Sequence, residues 1–377
     1  MVYDVCFLLL QSIAHDARTL NMARTLVKNG KKVLLLGIGT ESDVSRLANE
    51  GLTFIPILPQ LTSSKLTLRW IKFHTNVLFN CSKFQAKIYC AEDVFTLPTA
   101  FMLSSRHKAR VVYDSREIFS ALASNHSRPL RQKFISMIER YYTPKLSNIF
   151  TSGDLDSDYL ATYLSIPRPY VVMNVPACST PLPSTILRET CSISMNSKIL
   201  LYQGWIAEGR GIMSAVKALR YLPEVHLCLL GDGEFQTDVR QVATQEGVLA
   251  RVHFCGKVPY DELPKWTASA DAGLCFIEPI SLSYTLALPN KLFEYCMAGI
   301  PSLVSDLPAM RNVIEQFPIG KLVSPDSSSI ELATTISALF EESFQHSFHD
   351  IQAKAARTFC WENQEKTVLD IFTTEAG

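Results

Sequence analysis

The sequence predicts an α/β fold of two doubly wound, parallel-sheet (Rossmann-like) domains facing a cleft, on three observations. Apolar, β-rich runs alternate with helix-like stretches along most of the chain. The alternation fails once, near residues 176–196. The two halves also carry opposite charge: residues 1–180 hold 21 Lys+Arg against 13 Asp+Glu, and the remainder 15 against 23.

Length and composition agree with this. At 377 residues the chain is about twice the usual domain size. A hydrophobic content of 47% with 19% charged residues supplies large cores and argues against disorder. No apolar run reaches the roughly 18 residues of a membrane span. The opening "MVYDVCFLLLQSIAHDAR" reads as a first buried strand and not as a signal peptide. Ten cysteines show no paired spacing, and Cys6, Cys228, Cys275 and Cys296 lie in apolar segments, where Cys acts as a small hydrophobe. A reducing, cytoplasmic setting is expected.

Taken in order, "DVCFLLL", "KKVLLLG", "KIYCA", "ARVVYD" and "NIFTS" read as strands of the first domain. Between the first two, "DARTLNMARTLVKNG" sets Leu20, Ala23, Leu26 and Val27 on one helical face and stops at Gly30. The segment "PACSTPLPSTILRETCSISMN", rich in Pro, Ser and Thr, reads as a linker. Strands resume with "KILLYQG", "VHLCLLG", "RVHFCG", "DAGLCFI" and "PSLVSD". The expected division is 1–178, a linker at 179–196, a second domain at 197–355, and a terminal segment 356–377 returning to the first domain.

Ligands of open parallel sheets bind at the carboxyl ends of strands, where loops enter helices, so polar residues just after strands are the candidates. In "ALPNKLFEYCMAGIPSLVSD", Asn290 can cap a helix, Gly299 can end it and Pro301 forbids its continuation. Free first-turn amides, with Lys291 beside them, suit a phosphate, while Glu294 suits the vicinal hydroxyls of a ribose. The competing reading is ordinary: Asn290 caps, Glu294 answers the helix dipole and Lys291 is solvated. In "YQGWIAEGRGIMSAVKAL", Arg210 opens a helix and can hold phosphate oxygens, or it is a solvated Arg beside a turn. Gly231 and Gly233 of "LLGDGEF" allow close backbone approach, and Val258 of "HFCGKVPYDEL" can offer backbone bonds to a base edge. In the first half, His15, Asp16 and Arg18, and Asp114, Arg116 and Glu117, are read as polar clusters at strand ends in preference to local ion pairs. Asp154, Asp156 and Asp158 look like a metal-binding run but fit helix-start acids better, and no His/Cys/carboxylate cluster has metal-ligand spacing.

These segments, in this order, resemble the GT-B glycosyltransferases, and among them the retaining glycosyltransferase family 4, in the form common among polysaccharide and cell-surface glycan enzymes. The likeness covers almost the whole chain and is most specific in "LPNKLFEYCMAGIPSLVSDLPAMRNVI". It implies a nucleotide-diphosphate-sugar donor held by Gly204, Arg210, Gly231, Gly233, Val258, Pro289, Asn290, Lys291, Leu292 and Glu294. Arg210 and Lys291 would stabilise the leaving diphosphate, with Asp16 and Arg116 near the acceptor. Three positions depart from the family pattern. Trp205 replaces the Arg of the first turn's Gly-Arg pair, Leu286 replaces the first Glu of Glu-x7-Glu, and Arg116 stands where the family often has His.

The expected activity is therefore glycosyl transfer, retaining and metal-independent, without a cofactor, to a glycan or lipid-linked acceptor. A sugar-nucleotide 2-epimerase of the same fold and a non-catalytic glycosyltransferase-like subunit are the alternatives. Residues 65–84, with Lys65, Arg69, Lys72, Lys83, Trp70, Phe73 and Phe84, read either as an interfacial helix at the inner face of a membrane or as an ordinary amphipathic surface helix.

Overall fold

The computed structural model describes residues 2–58, 66–122, 128–146 and 148–373. The chain divides into two compact units, Met1–Met173 with Gln364–Gly377, and Asn174–Asn363. The chain thus passes between units ten residues or fewer from the boundaries expected at 178 and 356, and the segment expected as linker carries a short helix, Ile186–Cys191.

The first unit holds a seven-stranded parallel sheet in the order β3-β2-β1-β4-β5-β6-β7. Its strands are β1 (Val2–Ser12), β2 (Val33–Ile38), β3 (Thr53–Leu58), β4 (Gln85–Ala91), β5 (Arg110–Ser115), β6 (Asn148–Thr151) and β7 (Tyr170–Val171). All six residues of β2 are buried, as continuous apolar runs require when helices cover both faces of a sheet. Between β1 and β2 lies the helix Ala17–Lys28, with Leu20, Ala23 and Leu26 inward; Gly30 follows it at φ 76°. The terminal helix Glu365–Thr373 packs into this unit, where Phe372 meets Phe7 at 5.5 Å between ring centroids.

The second unit holds a six-stranded parallel sheet, β10-β9-β8-β11-β12-β13. Its strands are β8 (Lys198–Gln203), β9 (Val225–Leu230), β10 (Val252–Gly256), β11 (Ala272–Cys275), β12 (Ser302–Ser305) and β13 (Gly320–Val323). Leu227 and Leu229 of β9 enter a core with Leu200, Tyr202, Leu274 and Leu303. In each sheet the strand order reverses direction beside the first strand, β1 or β8, which is the switch point where doubly wound sheets bind ligands.

No helix among the described residues is long and apolar enough to cross a membrane. The helix expected within 65–84 spans Leu66–Asn76, followed by a wider turn at Val77–Cys81; Lys65 lies outside the described residues. Its aromatic face is not the outer one. Phe73 is fully buried, Trp70 packs against the core and gives its indole N–H to the Phe95 carbonyl at 2.7 Å, and Phe84 also lies against the core. The apolar residues left outside are Leu68, Ile71 and Phe79. A second exposed stripe runs along the helix Pro129–Tyr142 through Leu130, Phe134, Met137 and Tyr141.

Candidate functional site

In the second unit four strand-to-helix turns converge around β8. The helix Asn290–Met297 begins after Pro289, which sits in extended conformation as its cap residue. Asn290 is therefore not the cap, contrary to the sequence reading. Its side-chain amide instead donates to Oε1 of Glu294 at 2.8 Å, one turn along the same face. Gln203, at the end of β8, donates to Oε2 of Glu294 and accepts from Thr267 Oγ1 at 2.8 Å. Glu294 is thus held by two neutral donors, with no cation as ion-pair partner among the described residues. Burial raises its pKa, and Gln203, Lys291 and Asn290 work against that rise. Each carboxylate oxygen still has acceptor capacity for a further hydroxyl.

Lys291 is buried, not solvated. Its ammonium lies 3.8 Å from the centroid of the Tyr202 ring, and the Arg210 guanidinium lies 4.5 Å from that of Tyr284. Burial, and next the positive charge of Arg210, push the Lys291 pKa down from 10.5 to about 7. Among the described residues no carboxylate comes within ion-pair distance of Lys291 or Arg210. Two cations with no carboxylate partner among the described residues, near the first turn of an eight-residue helix, can receive an anion.

The glycine turns shape the same place. Gly231 follows β9 so closely against the first turn that a Cβ would lie 1.9 Å from the Gly204 carbonyl oxygen. A Cβ on Gly233 would lie 2.0 Å from the Ile206 carbonyl oxygen. The two turns are joined by Gly204 N–H to Leu230 O at 3.0 Å and Ile206 N–H to Asp232 O at 2.8 Å. Gly211, at φ 68°, caps the helix Ile212–Ala218 and leaves no room for a side chain beside Phe276. Val258 is half-buried just beyond β10, and Leu292 is fully buried in the first turn of its helix.

Several residues here were not singled out from sequence. Tyr202, Tyr284, Gln203 and Thr267 position the charged groups through contacts between distant segments. Lys257 is the most informative of them. It lies 5.4 Å over the exposed Trp205 ring and pairs with Asp232 at 3.1 Å, bringing a cation to the turn where the family pattern has Arg. Its signal was its place directly after a strand, in "FCGKVPY". Leu286 ends the short helix Leu282–Leu286 and is half-buried.

Read from sequence as polar clusters in preference to local ion pairs, the strand-end residues of the first unit form a buried ion-pair network, most of it between distant segments. Arg18 bonds both oxygens of Asp114 at 2.8 and 2.9 Å and also donates to the Val172 carbonyl. Arg116 reaches Asp16 at 2.9 Å, Asp114 at 3.2 Å, and Glu92. Asp16 caps the helix Ala17–Lys28, accepting from the Thr19 amide at 3.1 Å and from Gln11 at 2.8 Å. Burial alone would raise the Asp16 pKa, but Arg116 and the Thr19 bonds outweigh it and hold it low. Glu92 goes the other way: burial, only partly offset by Arg116, pushes it up to about 8. His15 is exposed beside this network. The three carboxylates and two guanidiniums come from three separate strand ends, those of β1, β4 and β5, so most of their mutual neutralisation has no local sequence signal.

The acidic run is a helix start, as expected. Asp154 and Asp156 occupy the first turn of the helix Asp154–Leu164, Arg168 pairs with Asp154 at 2.7 Å and Asp158 at 2.6 Å, and Asp156 is buried.

Comparison with known proteins agrees with this geometry. Residues 197–342 match the family described as glycosyl transferases group 1, so the second unit contains a group 1 glycosyltransferase domain. The whole chain has the GT-B fold. It superposes on sucrose-phosphate synthase from Thermosynechococcus elongatus with a TM-score of 0.78 at 14% identity, covering 98% of each chain. It superposes on Anabaena HepE, crystallised with UDP and glucose, with a TM-score of 0.75 at 16% identity over 98% of each chain. A phosphatidyl-myo-inositol mannosyltransferase from Mycobacterium tuberculosis is 28% identical over 190 residues, 48% of this chain and 48% of that one. The curated relatives are matched over less than half of their length.

Proposed function

We propose that the protein transfers a sugar from a nucleotide-diphosphate-sugar donor to a glycan or lipid-linked acceptor, with retention and without a catalytic metal. One observation carries the reading: Lys291 and Arg210 are cations without counter-ions, placed at helix starts around Gly204. A nucleoside diphosphate leaving group needs its developing negative charge stabilised at such a place. These two side chains and the amides after Pro289 would meet the diphosphate, Glu294 the ribose, and the turns at Gly231, Gly233 and Val258 the base edge. Metal independence is supported by the charge these groups already supply, while Asp154 and Asp158 are occupied by Arg168. In the first unit Asp16 and Arg116 act by positioning, because both are held in the ion-pair network. His15 is the exposed group beside them that can contact an acceptor.

A panel of nucleoside diphosphates read by thermal shift tests the donor site. The best of them should raise the melting temperature, and Lys291→Ala and Arg210→Ala should each weaken its binding by about 1.5–3 kcal/mol. Unchanged affinity in both variants would overturn the reading. Product analysis separates the alternatives: an epimerase converts the donor to its isomer without acceptor, and a non-catalytic subunit neither transfers nor hydrolyses it. For metal independence, turnover abolished by chelation and restored by magnesium or manganese is the contrary result.

A lipid-linked acceptor is favoured by the exposed apolar side chains of the first unit. Leu68, Ile71 and Phe79, and separately Leu130, Phe134, Met137 and Tyr141, lie among exposed Lys72, Lys133, Arg140 and Lys145. Apolar residues ringed by cations suit an anionic membrane surface, which would place the enzyme peripherally at the inner face of a membrane. Co-sedimentation with vesicles containing anionic lipid, lost in a Leu130→Ser, Met137→Ser double variant, is the expected result. Equal recovery of both proteins with vesicles would refute it.

A further inference from the structure

Away from the turns that form the donor site, three cysteines from three elements meet in the second unit. Cys191 ends the helix Ile186–Cys191, Cys228 lies in β9 and Cys255 in β10. Their sulfurs all lie within 4.8 Å of one another, and Cys191 and Cys255 are 3.6 Å apart. Nothing in the spacing of the sequence marks them, because the parallel pairing of β9 with β10 brings them together.

The two strands present one coherent face. Along a strand alternate residues share a side, so His226 and Cys228 stand opposite Leu227 and Leu229, which enter the core. His253 pairs in register with Cys228; the register shifts between Phe254 and Gly256, and Cys255 at that irregularity brings its sulfur to Cys191 and Cys228. The His226 and His253 rings stack at 5.1 Å between centroids and 19° between planes, and Nδ1 of His226 lies 2.9 Å from Nε2 of His253. His253 thus engages His226 through Nε2; its ring nitrogens lie outside the cluster of three sulfurs, and Nδ1 is the atom that would turn toward them.

We propose that Cys191, Cys228 and Cys255 bind a zinc ion as thiolates, with His253 completing the set and His226 orienting it. The sulfur separations fit. A tetrahedral site with Zn–S bonds of about 2.3 Å has sulfurs about 3.8 Å apart, so closing the present triangle takes only small side-chain shifts. Three thiolates and one imidazole is a standard structural zinc set, and the imidazole–imidazole bond is the kind of outer contact that fixes a ligating ring. Soft sulfur ligands select against magnesium and calcium. Its effect would be mechanical: the ion ties the helix at the start of the second unit to β9 and β10. Those are the strands that end in the Gly231–Gly233 turn and at Val258.

The test uses the full chain, tag-free, purified under reducing conditions without chelator. Elemental analysis should give about one zinc per chain, falling to background in Cys191→Ser and Cys255→Ser and, more weakly, in His226→Ala, where an outer partner costs roughly 10–100-fold in affinity. Cobalt added to the metal-free wild type should give sulfur-to-metal charge-transfer bands and the visible bands of a tetrahedral site. This arm does not depend on any variant folding. A strong zinc chelator should lower the melting temperature of the wild type and leave that of Cys191→Ser unchanged. The proposal fails if the wild type binds neither zinc nor cobalt, if zinc survives in both serine variants, or if peptide mapping finds a Cys191–Cys255 disulfide in metal-free protein.

Discussion

The ammonium of Lys291 rests 3.8 Å from the centroid of the Tyr202 ring, where burial, and next the charge of Arg210, depress its pKa to about 7. In the free protein the side chain is therefore half neutral near physiological pH. A bound diphosphate favours the ammonium and raises that pKa, so binding takes up a proton above about pH 7. Affinity for a nucleoside diphosphate should fall by up to about tenfold for each pH unit above that value. Titration calorimetry in buffers of different ionisation enthalpy should show the uptake in the wild type and none in Lys291→Met. A pH-independent wild-type affinity from about pH 7 to about pH 9, within the window set by the shift, would remove Lys291 from the diphosphate. Without ligand the sign is opposite: a lysine depressed by burial costs stability below about pH 7, and that cost disappears as pH rises toward 10.5.

Gly231→Ala should be as damaging as loss of a charged ligand, for a different reason. The added methyl would sit 1.9 Å from the Gly204 carbonyl oxygen, so one of the two turns must move. Overpacking against backbone costs about 1–3 kcal/mol. Because Gly204 lies between Lys291 and Tyr202, the shift also spoils the diphosphate site. Melting curves and nucleotide titrations on the variant check this; wild-type stability together with wild-type affinity would contradict it.

Glu139 is fully buried in the first unit, its Oε1 accepting from the Tyr113 hydroxyl at 3.2 Å and its Oε2 unpartnered. Burial raises its pKa from 4.5 to about 7, with Tyr113 and Arg140 only partly opposing. A carboxyl raised in the folded state contributes stability below about pH 4.5 that is lost as pH rises through about 7. Glu139→Gln cannot ionise, so its stability relative to wild type should improve by up to about 1.4 kcal/mol per pH unit between about pH 4.5 and 7 and level off above that. Denaturation at pH 5 and pH 8, chosen as roughly either side of that pKa, reads the difference. A gap that does not widen with pH would show that Glu139 stays ionised without cost.

The parts of this molecule legible in its sequence are those set by local pattern. Continuous apolar runs such as "KKVLLLG" and "VHLCLLG" read as strands buried on both faces, and Gly231 after the second marks a tight turn, whereas Gly37 of the first stays within its strand. The acids at Asp154 and Asp156 were readable because a helix start explains them without any partner. What stayed hidden depends on pairing between distant segments. In the sequence Arg116 reads as part of a polar cluster with Asp114, but Asp16 and Glu92, which also pair with it, arrive from two other strand ends. Trp70 and Phe73 fit either an interfacial helix or an ordinary amphipathic one, because helical periodicity alone does not say which side meets the core. The three cysteines were invisible for the same reason, being brought together only by the pairing of β9 with β10 and the helix Ile186–Cys191.

Asn290 and Gln203 each donate to one oxygen of Glu294, so this carboxylate has both a structural role and capacity for a ligand. Glu294→Gln separates the two. The amide retains size and helix propensity but has one acceptor atom, so one of the two donors loses its partner. That costs about 1–3 kcal/mol, reduced by relief from burying a charge. If Glu294 also accepts from ribose hydroxyls, the loss of a charge-assisted acceptor should weaken binding of a ribonucleoside diphosphate by about tenfold or more. An analogue lacking the ribose hydroxyls should bind both proteins almost equally. Asn290→Ala provides the control: it removes one structural bond and keeps the carboxylate, so it should lose stability while keeping most of the discrimination between the two nucleotides. Melting curves and paired titrations on the three proteins decide the matter. If Glu294→Gln lowers stability yet binds the ribonucleotide as the wild type does, Glu294 only braces the helix against β8, and the ribose must be recognised elsewhere.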